Sequence, residues 1–391
     1  MATEVAIVKC PDYDQAKVDQ AVQHGLELIG GLSQFIKPGQ KVLLKVNALM
    51  DSLPEQAATT HPAVVEAVAK EVIKLGAKCF IGDSPGNATA NVMGTMERTG
   101  FTRAAKNSGA EILNFQKAWI TDIPSPSGNK RIPELKISQA VLDMDAIINL
   151  AKLKTHGWTL FTGAIKNLFG TVPGFFKSKY HILAPQPYEF SESLVDILAV
   201  VKPVLNIIDG IVGMEGQGPS AGQARTMGAL FFSSDAVAND AVCSAAIGYK
   251  PFDIDTTKIA HQRGLGIGEL DKIEMVGTDL EEVEQRDWQH SATNYNLTRW
   301  IPGWLNRFFS PITKLLRIDP EIDQTKCQKC EICLNGCPAR TIHNRNGQIV
   351  IDLKNCIMCY CCHELCPYKA IKLKRGWLAK LMGIAAPNND A

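Results

Sequence analysis

Two cysteine runs near the end of the chain read Cys327-Gln-Lys-Cys330-Glu-Ile-Cys333-Leu-Asn-Gly-Cys337-Pro338 and Cys356-Ile-Met-Cys359-Tyr-Cys-Cys362-His-Glu-Leu-Cys366-Pro367. Both follow the spacing Cys-x2-Cys-x2-Cys-x3-Cys-Pro, so one frame is written twice. In this spacing three cysteines on a tight turn reach one cubane iron–sulfur cluster, and the fourth points to the other cluster. We therefore expect two [4Fe-4S] clusters, one on Cys327, Cys330, Cys333 and Cys366 and the other on Cys356, Cys359, Cys362 and Cys337.

The duplicated frame predicts a small α+β two-cluster domain of the bacterial ferredoxin type over residues 320–376. A pair of structural zinc sites built on Cys-x2-Cys pairs is the alternative. Zinc binding would account neither for the proline that follows each fourth cysteine nor for the repeated cysteine spacing. Two iron–sulfur clusters are therefore favoured. Cys361 stands outside the frame, opposite Ile332 in the other repeat. It is interpreted as a small buried hydrophobic residue, with a spare-ligand role as the alternative.

The amino-acid composition indicates in which compartment the protein works and which classes of partner it can bind. The chain has 391 residues, of which 46% are hydrophobic, and a formal net charge of +1, which gives no electrostatic basis for nucleic-acid binding. The first residues lead directly into an apolar strand, and no run of about eighteen apolar residues occurs, so we expect neither a signal peptide nor a membrane span. Eight of the twelve cysteines belong to the two frames. We expect a cytoplasmic protein in a reducing, anoxic setting.

Apolar strands alternate with helices over residues 1–290. A strand at Val5–Val8 precedes helical periodicity over 15–32, and a strand at Lys41–Val46 precedes a helix that begins near Thr60. Strands that are apolar almost throughout are typical of sheets covered on both faces. The pattern predicts an α/β layered domain with a largely parallel sheet.

Polar side chains cluster where the predicted strands end, and ligands of such sheets bind beyond the carboxyl ends of the strands. The predicted loop after Leu150 carries lysines and a histidine, which suit an anionic group and proton transfer near neutral pH. The residues with predicted catalytic roles are His156, Lys166, Lys154 and Asp209. Those with predicted cofactor-binding roles are Lys45, Asn47, Asp83, Ser84, Asn167 and Glu215. Asp83, Asp209 and Glu215 are also the candidates for orienting these groups or holding a metal. The alternative is that such residues serve only as turns and caps.

Residues 291–319 are predicted to link the two domains, and residues 377–391 form a C-terminal tail. Between 295 and 317, tryptophans such as Trp300 and Trp304 alternate with basic residues, a composition that also suits a helix lying on a membrane surface. Pro302 and Pro311 interrupt any long helix here. The pattern therefore favours an aromatic-rich linker that packs the cluster domain onto the α/β domain, with peripheral membrane contact as the alternative.

The α/β part resembles the family called domain of unknown function 362, which is often joined to a C-terminal ferredoxin module. The likeness rests on Lys152-Leu-Lys154-Thr155-His156-Gly157, on Phe161-Thr-Gly-Ala-Ile-Lys-Asn-Leu-Phe-Gly170, and on Ile208-Asp-Gly-Ile-Val-Gly-Met-Glu-Gly-Gln-Gly-Pro219. The resemblance implies an iron–sulfur protein whose substrate is not established.

A fainter resemblance is to the lactate racemase family, whose catalytic domain carries a nickel pincer nucleotide on a lysine. The order of His156, Thr162-Gly163-Ala164, Lys166 and Pro173-Gly174 is similar to a segment of that family. Ala164 replaces its second glycine, and Pro-Gly falls later in this chain. The resemblance therefore implies functional roles for His156 and Lys166 and leaves the nucleotide itself unsupported.

Together these patterns predict an iron–sulfur electron-transfer protein, an oxidoreductase component with a small-molecule or cofactor site in its α/β domain. That site is expected to hold an unidentified organic or metal cofactor, and the partner is a redox protein or a small-molecule substrate. Two alternatives stay open: a ferredoxin-like carrier without an enzymatic site, and a scaffold that delivers a cluster or metal. The sequence predicts no oligomeric state.

Overall fold

The computed structural model describes residues 3–86, 91–291 and 318–375. The predicted aromatic segment 295–317 and the tail 377–391 lie outside these residues. The strands are β1 Thr3–Lys9, β2 Lys41–Lys45, β3 Lys78–Asp83, β4 Glu111–Asn114, β5 Ile120–Pro124, β6 Glu134–Ser138, β7 Ala146–His156, β8 Leu160–Thr162, β9 Leu205–Glu215, β10 Gln223–Ser233, β11 Ile273–Gly277, β12 Ile318–Ile322, β13 Ile342–Arg345, β14 Gln348–Ile351 and β15 Ile371–Arg375. The helices are α1 Gln15–Leu28, α2 Pro62–Lys74, α3 Val92–Arg98, α4 Phe101–Ser108, α5 Gln139–Leu142, α6 Ala164–Asn167, α7 Gly174–Leu183, α8 Pro187–Val201, α9 Ala236–Ala246, α10 Asp255–Gln262, α11 Ile332–Asn335 and α12 Cys361–Leu365.

A nine-stranded sheet forms the centre of the α/β domain in the order β11-β1-β10-β9-β7-β2-β3-β4, with β8 paired to β7. Neighbours from β9 through β7, β2 and β3 to β4 are parallel, as are β1 and β11. Strand β10 runs antiparallel to both of its neighbours. The expected α/β layered architecture with a largely parallel sheet is thus confirmed.

Helices cover both faces of this sheet, as the apolar strands require. Successive side chains of a strand point to opposite faces. In β2, Leu43 packs into the layer that contains α6, α8, α9 and α10, whereas Val42 and Leu44 pack into the layer that contains α1, α2 and α4. Burial of apolar side chains on both faces stabilises the sheet by roughly 25 cal/mol for each Å² removed from water.

Strand β7 is longer than the sequence indicates. The prediction of a strand that ends at Leu150 and opens into a loop at Lys152–Gly157 is wrong, because β7 continues to His156 and every residue of it is buried. Residues Lys154–His156 pair with β8, and Lys154 also pairs with Met214 of β9. Lys152, Lys154 and His156 therefore lie on a central strand, where ladder hydrogen bonds fix the backbone.

The cluster module consists of two short antiparallel pairs and two short helices. Strand β12 pairs with β15, and β13 pairs with β14 across the hairpin turn at Asn346–Gly347. Its apolar core is small and centres on Ile342, Ile349 and Ile371. A module with so little apolar surface depends on its cysteine ligands for stability.

Candidate functional site

A cavity of about 780 Å³, its open mouth included, lies at the carboxyl ends of β2, β3 and β7. Seven of the residues predicted for this edge line it: Asn47, Asp83, Ser84, Lys154, His156, Lys166 and Asn167. The cluster module forms another wall, with Gly336, Cys361, Glu364 and Leu365. The Ser220 hydroxyl donates a hydrogen bond of 2.7 Å to the Glu364 carbonyl and joins the two parts there. The cavity is thus shared between the α/β domain and the module.

A buried ion pair forms the floor beneath β2 and β3. Lys45 Nζ lies 2.8 Å from Asp83 Oδ1, and both side chains are almost fully removed from solvent. Asp83 Oδ2 also accepts from the Ala48 amide at 2.6 Å. A Cβ at position 170 would overlap both members of the pair, so Gly170 is required for the chain to pass over them.

Three further lysines face the cavity without a carboxylate at ion-pair distance. Among the described residues, no Asp or Glu oxygen lies within 4.0 Å of the ammonium group of Lys154, Lys166 or Lys177. Lys154 Nζ donates to the Ala58 carbonyl at 2.6 Å and to Asn47 Oδ1 at 3.1 Å. Lys177 Nζ donates to the carbonyls of Ser84 and Pro85. Carbonyl groups solvate these charges but do not neutralise them.

Lys166 projects from the short helix α6 and is partly exposed to the cavity. Its Nζ lies 5.2 Å from the centre of the Phe169 ring and 5.7 Å from that of Phe190, within the range of cation–π attraction. Aromatic faces stabilise an ammonium group less than a carboxylate does. Lys166 therefore keeps its capacity to bind an anion.

Burial shapes the protonation of these groups. Desolvation, and then the charges of Lys166 and Lys152, lower the pKa of Lys154 to about 7. Desolvation likewise lowers the pKa of Lys177 to about 7 and lowers the pKa of Lys166, the latter against the attraction of Glu364. An anion between these lysines would raise all three pKa values again, because it favours their charged forms.

His156 is held in one orientation at the end of β7. Its Nδ1 accepts hydrogen bonds from the amides of Trp158 at 2.9 Å and Thr159 at 3.3 Å. The proton of the neutral ring therefore sits on Nε2, which lies 3.5 Å from Glu364 Oε1. His156 thus caps a turn with one nitrogen and faces the cavity with the other.

Helix α12 brings three residues into the cavity that were not predicted to belong there, namely Cys361, Glu364 and Leu365. Burial raises the pKa of Glu364 to about 7, although Lys166 and Lys154 act in the opposite direction. Cys361, interpreted from sequence as a buried hydrophobic residue, is buried and lies in the cavity wall. Its hydrogen bond with Cys359 and its burial raise its thiol pKa well above the usual value.

Buried polar atoms without partners also face the cavity. Within the described residues, His181 Nδ1 and Thr162 Oγ1 make no hydrogen bond, although both residues are more than nine-tenths buried. An unsatisfied buried polar group costs about 1–3 kcal/mol. A bound molecule with polar groups would remove that cost, so these atoms indicate a ligand site.

Asp240 positions the helix that carries Lys166. It lies within the apolar helix α9, is fully buried, and accepts from the amides of Ala164 and Ile165. Glycine is required at position 163, because a Cβ there would overlap the Asp240 carboxylate. Asp240 was not among the predicted site residues, although a lone carboxylate in an apolar helix is a signal that the sequence carries.

Asn47 and Asn167 belong to a chain of buried amides behind the lysines. Asn47 Nδ2 donates to Asn167 Oδ1 at 2.9 Å, and Asn167 Nδ2 donates to Asn149 Oδ1 at 2.8 Å. Because Asn47 Oδ1 also accepts from Lys154, this chain fixes the ammonium group in place. Both asparagines thus support the site as well as line it.

Two of the predicted site residues lie elsewhere. Asp209 pairs with Lys152 at 2.8 Å and accepts from Tyr13 at 2.8 Å, in a network with its own partners. Glu215 pairs with Arg225 at 2.9 Å. The structure therefore does not bring Asp83, Asp209 and Glu215 together, and no group of three His, Cys, Asp or Glu side chains within the described ranges is placed to hold a single metal ion.

The eight framed cysteines form two sets of four, each around its own small cavity. One cavity is lined by Cys327, Cys330, Cys333 and Cys366, and the other by Cys337, Cys356, Cys359 and Cys362. The fourth cysteine of each run therefore joins the other run. This crossed arrangement and the thiol donor set fit two iron–sulfur clusters.

Comparisons with known families agree with these two parts. The family described as "Domain of unknown function (DUF362)" matches residues 42–245, and a "4Fe-4S dicluster domain" matches residues 319–367. A thylakoid-associated protein of Synechocystis sp. is 36% identical over 269 residues, which is 68% of this chain and 81% of that protein. A dihydromethanopterin reductase (acceptor) of Methanosarcina mazei is 46% identical over 54 residues, 13% of this chain and 23% of that protein.

Among solved structures, the lactate racemase apoprotein of Thermoanaerobacterium thermosaccharolyticum aligns with a TM-score of 0.42 and 11% identity, over 63% of this chain and 57% of that one. Likeness at this level implies nothing about activity. Across the three described segments, no helix has the length and apolar character needed to cross a membrane.

Proposed function

The chain belongs to the DUF362 family and carries a 4Fe-4S dicluster domain, and from that premise we propose that it is an oxidoreductase component that binds a small anionic molecule in the cavity between its two parts. The observation that carries this proposal is the set of three cavity lysines, Lys154, Lys166 and Lys177, without a carboxylate at ion-pair distance in the described structure. Buried charges are normally paired, so the missing partner is supplied by the ligand.

The proposed cluster ligands are the two crossed cysteine sets. Cys327, Cys330, Cys333 and Cys366 would hold one cluster, and Cys337, Cys356, Cys359 and Cys362 the other. When bound, the clusters would supply or accept single electrons. The set around Cys359 and Cys362 is the more buried one, and α12 joins it directly to the cavity wall. Its position favours electron exchange with a molecule in the cavity over simple storage.

The chain's own residues have separate roles in this proposal. Lys154, Lys166 and Lys177 bind the anion, and the Lys45–Asp83 pair and the amide chain hold the floor rigid. His156 presents its Nε2 to the cavity and exchanges a proton with the ligand, since its Nδ1 is occupied by two amides. The proposed site no longer includes Asp209 or Glu215, because their carboxylates are paired outside the cavity.

Anion binding provides the test. Anaerobically purified holoprotein is titrated calorimetrically with inorganic phosphate and with short dicarboxylates, and mass spectrometry identifies any molecule that co-purifies. Lys154→Met with Lys166→Met is expected to weaken the binding of the tightest anion by at least about 10-fold per lost charge, about 1.4 kcal/mol each. The control is Lys258→Met, an exposed lysine of α10. Equal affinity in the double variant and the control, with both proteins fully loaded with iron, would refute the anion site.

Turnover distinguishes an enzyme from the two alternatives. An oxidoreductase loses turnover with its physiological partner in the double variant while its iron content is unchanged. A pure electron carrier keeps its rate in the same variant. A scaffold transfers its iron to an apo-protein without any substrate.

A further inference from the structure

The two cysteine loops differ in the residues that stand between their cysteines, which are mostly polar in the first loop and mostly apolar in the second. In the first repeat the residues between the cysteines are Gln328, Lys329, Glu331 and Ile332, and in the second they are Ile357, Met358, Tyr360 and Cys361. In the second loop Tyr360 and Cys361 are buried and Ile357 and Met358 are half-buried, whereas Gln328, Lys329 and Cys330 of the first loop are exposed. The first cluster site therefore faces solvent, and the second faces the cavity.

The exposed edge of the first loop is rich in positive charge. Lys326 and Lys329 flank Cys327, and both are exposed. The β13–β14 hairpin extends this edge: Lys329 Nζ lies beside Gly347, at 3.9 Å from where a Cβ would stand, and exposed Arg345 belongs to the same hairpin. We call Lys326, Lys329 and Arg345 the basic rim. None of these three makes an ion pair with another described residue.

Two of the four acidic residues of this region, Asp323 and Glu321, are paired with lysines. Glu331 Oε1 accepts a hydrogen bond of 3.0 Å from Asn344 and is half-buried. Asp323 pairs with Lys372 at 3.1 Å, and Glu321 pairs with Lys374 at 2.9 Å, both on the β12–β15 pair. The Asn344 amide does not neutralise Glu331, and Asp352 interacts electrostatically with Arg345. With Lys326, Lys329 and Arg345 all exposed, positive charges still outnumber these two negative ones at this edge, on a chain whose net charge is only +1.

We infer that the basic rim is the docking surface for an acidic electron-carrier protein, which exchanges electrons at the exposed cysteine set around Cys330. Unpaired surface charges of one sign steer a partner of opposite sign and raise the association rate. An acidic protein fits better than a nucleic acid, because the rim is small and the chain as a whole is nearly neutral. This inference rests on the proposed electron-transfer role and is independent of what binds in the cavity.

The test reaction is the transfer of one electron from a reduced, strongly acidic single-cluster ferredoxin to the oxidised holoprotein. The ferredoxin is left oxidised and the holoprotein reduced, and no bond or proton changes place. The second-order rate constant is measured at an ionic strength of about 10 mM, where the screening length is about 30 Å, and again at about 150 mM, where it is about 8 Å. The affinity of the two oxidised proteins, which needs no electron transfer, is measured under the same conditions.

The variant is Lys326→Glu with Lys329→Glu and Arg345→Glu. Its matched control is Lys106→Glu with Lys130→Glu and Lys258→Glu, three exposed lysines of the α/β domain that give the same change in net charge. At about 10 mM we expect the rim variant to lose about 10-fold to 100-fold in rate constant and a similar factor in affinity, and the control to lose less than about 3-fold. Higher ionic strength should slow wild type, because it screens the attraction, and should speed the rim variant, because it screens the repulsion between the new glutamates and the acidic partner.

Reduction by photoreduced deazariboflavin, a small neutral molecule, tests whether the clusters accept electrons without any docking at the basic rim. Equal rates of wild type and rim variant with this reductant show that the clusters are intact, so a loss seen only with the acidic protein supports the rim. The inference is overturned if the rim variant and the control respond equally to the acidic ferredoxin. It is also overturned if the rim binds a DNA duplex at about 150 mM salt and shows no affinity for the acidic protein. Failure to accept electrons even from deazariboflavin would instead contradict the electron-transfer role itself.

Discussion

Lys154 is a single residue of the cavity whose charge depends on pH near neutrality. Its pKa is lowered to about 7, chiefly by burial, so the empty site loses positive charge as pH rises above 7. Because the anion binds the protonated form, its affinity should fall by up to about 10-fold per pH unit above that value for each linked proton. Calorimetry between pH 6 and pH 9 measures this slope.

The variant Lys154→Met tests whether Lys154 causes this dependence of anion affinity on pH. It should bind the anion more weakly at pH 6 and show a shallower slope. The remaining slope comes from Lys177, whose pKa is also lowered to about 7, and from Glu364, whose pKa is raised to about 7 and whose ionisation repels the anion. An anion affinity in wild type that is constant from pH 6 to pH 9 would contradict the assignment of these lysines.

Asp240 offers a second prediction for a single residue. Asp240→Ala leaves the amides of Ala164 and Ile165 without an acceptor and should lower the free energy of unfolding by about 2–3 kcal/mol. Asp240→Asn keeps one oxygen acceptor and should cost less. Both variants should also weaken anion binding, because α6 carries Lys166. Denaturant unfolding and calorimetry measure the two effects.

The charge state of Asp240 gives its own pH signature. Burial raises its pKa from an ordinary value of 3.8 to about 7, so the folded state holds the proton over this range and the unfolded state does not. Its contribution to stability is therefore present at low pH and is lost as pH rises through about 7. The difference in unfolding free energy between wild type and Asp240→Asn should shift in that direction between pH 5.5 and pH 8. A difference that is independent of pH would contradict the raised pKa.

The site residues show which features a sequence can reveal. Lys154, His156 and Lys166 could be predicted because each follows or interrupts an apolar strand. The placement of Lys154 and His156 on a loop was wrong, because buried polar residues in a central strand look like the end of that strand. Lys177 and Glu364 could not be predicted, because they reach the cavity from helices and not from the ends of strands, and no local pattern records that contact.

At the level of elements, the two cysteine loops are crossed, and this arrangement predicts distinct defects. Anaerobic wild-type protein should contain about eight iron and eight sulfide atoms. Cys330→Ala should damage the exposed cluster and Cys337→Ala the buried one, because these cysteines line different cavities. Electron paramagnetic resonance and iron analysis distinguish the two variants. Identical spectra, or about four iron atoms in intact wild type, would contradict the crossed ligand sets.

The central sheet shows which properties of whole elements can be predicted from the sequence pattern and which cannot. Alternation of apolar strands and helices was sufficient to predict a layered, largely parallel sheet. The extension of β7 to His156 was missed, because Lys152, Lys154 and His156 interrupt the apolar run and because the pairing of Lys154 with Met214 of β9 joins segments far apart in the sequence. Such pairing is a tertiary effect that overrides local hydrophobicity.

For the whole molecule, the cavity should depend on the clusters. The module has a small apolar core, so removal of iron by a chelator under anaerobic conditions should unfold it. Because the module supplies Gly336, Glu364 and Leu365 to the cavity wall, anion affinity should then fall by about 10-fold or more, while the larger α/β domain stays folded. Calorimetry and circular dichroism before and after reconstitution measure both effects. Unchanged anion affinity in the iron-free protein would mean that the α/β domain forms the site alone.

Helix α12 is only five residues long, yet it belongs to both parts of the proposed machinery. Cys362 lies in the buried cysteine set, whereas Cys361, Glu364 and Leu365 line the cavity. A mutation that adapts this helix to a new ligand therefore also alters the surroundings of the neighbouring cluster, and the reverse holds as well. Selection cannot adjust ligand preference and redox potential separately at these positions. We expect evolutionary change in specificity to concentrate on the part of the wall that the α/β domain supplies, at residues such as Phe169, where a substitution leaves the surroundings of the cluster unchanged.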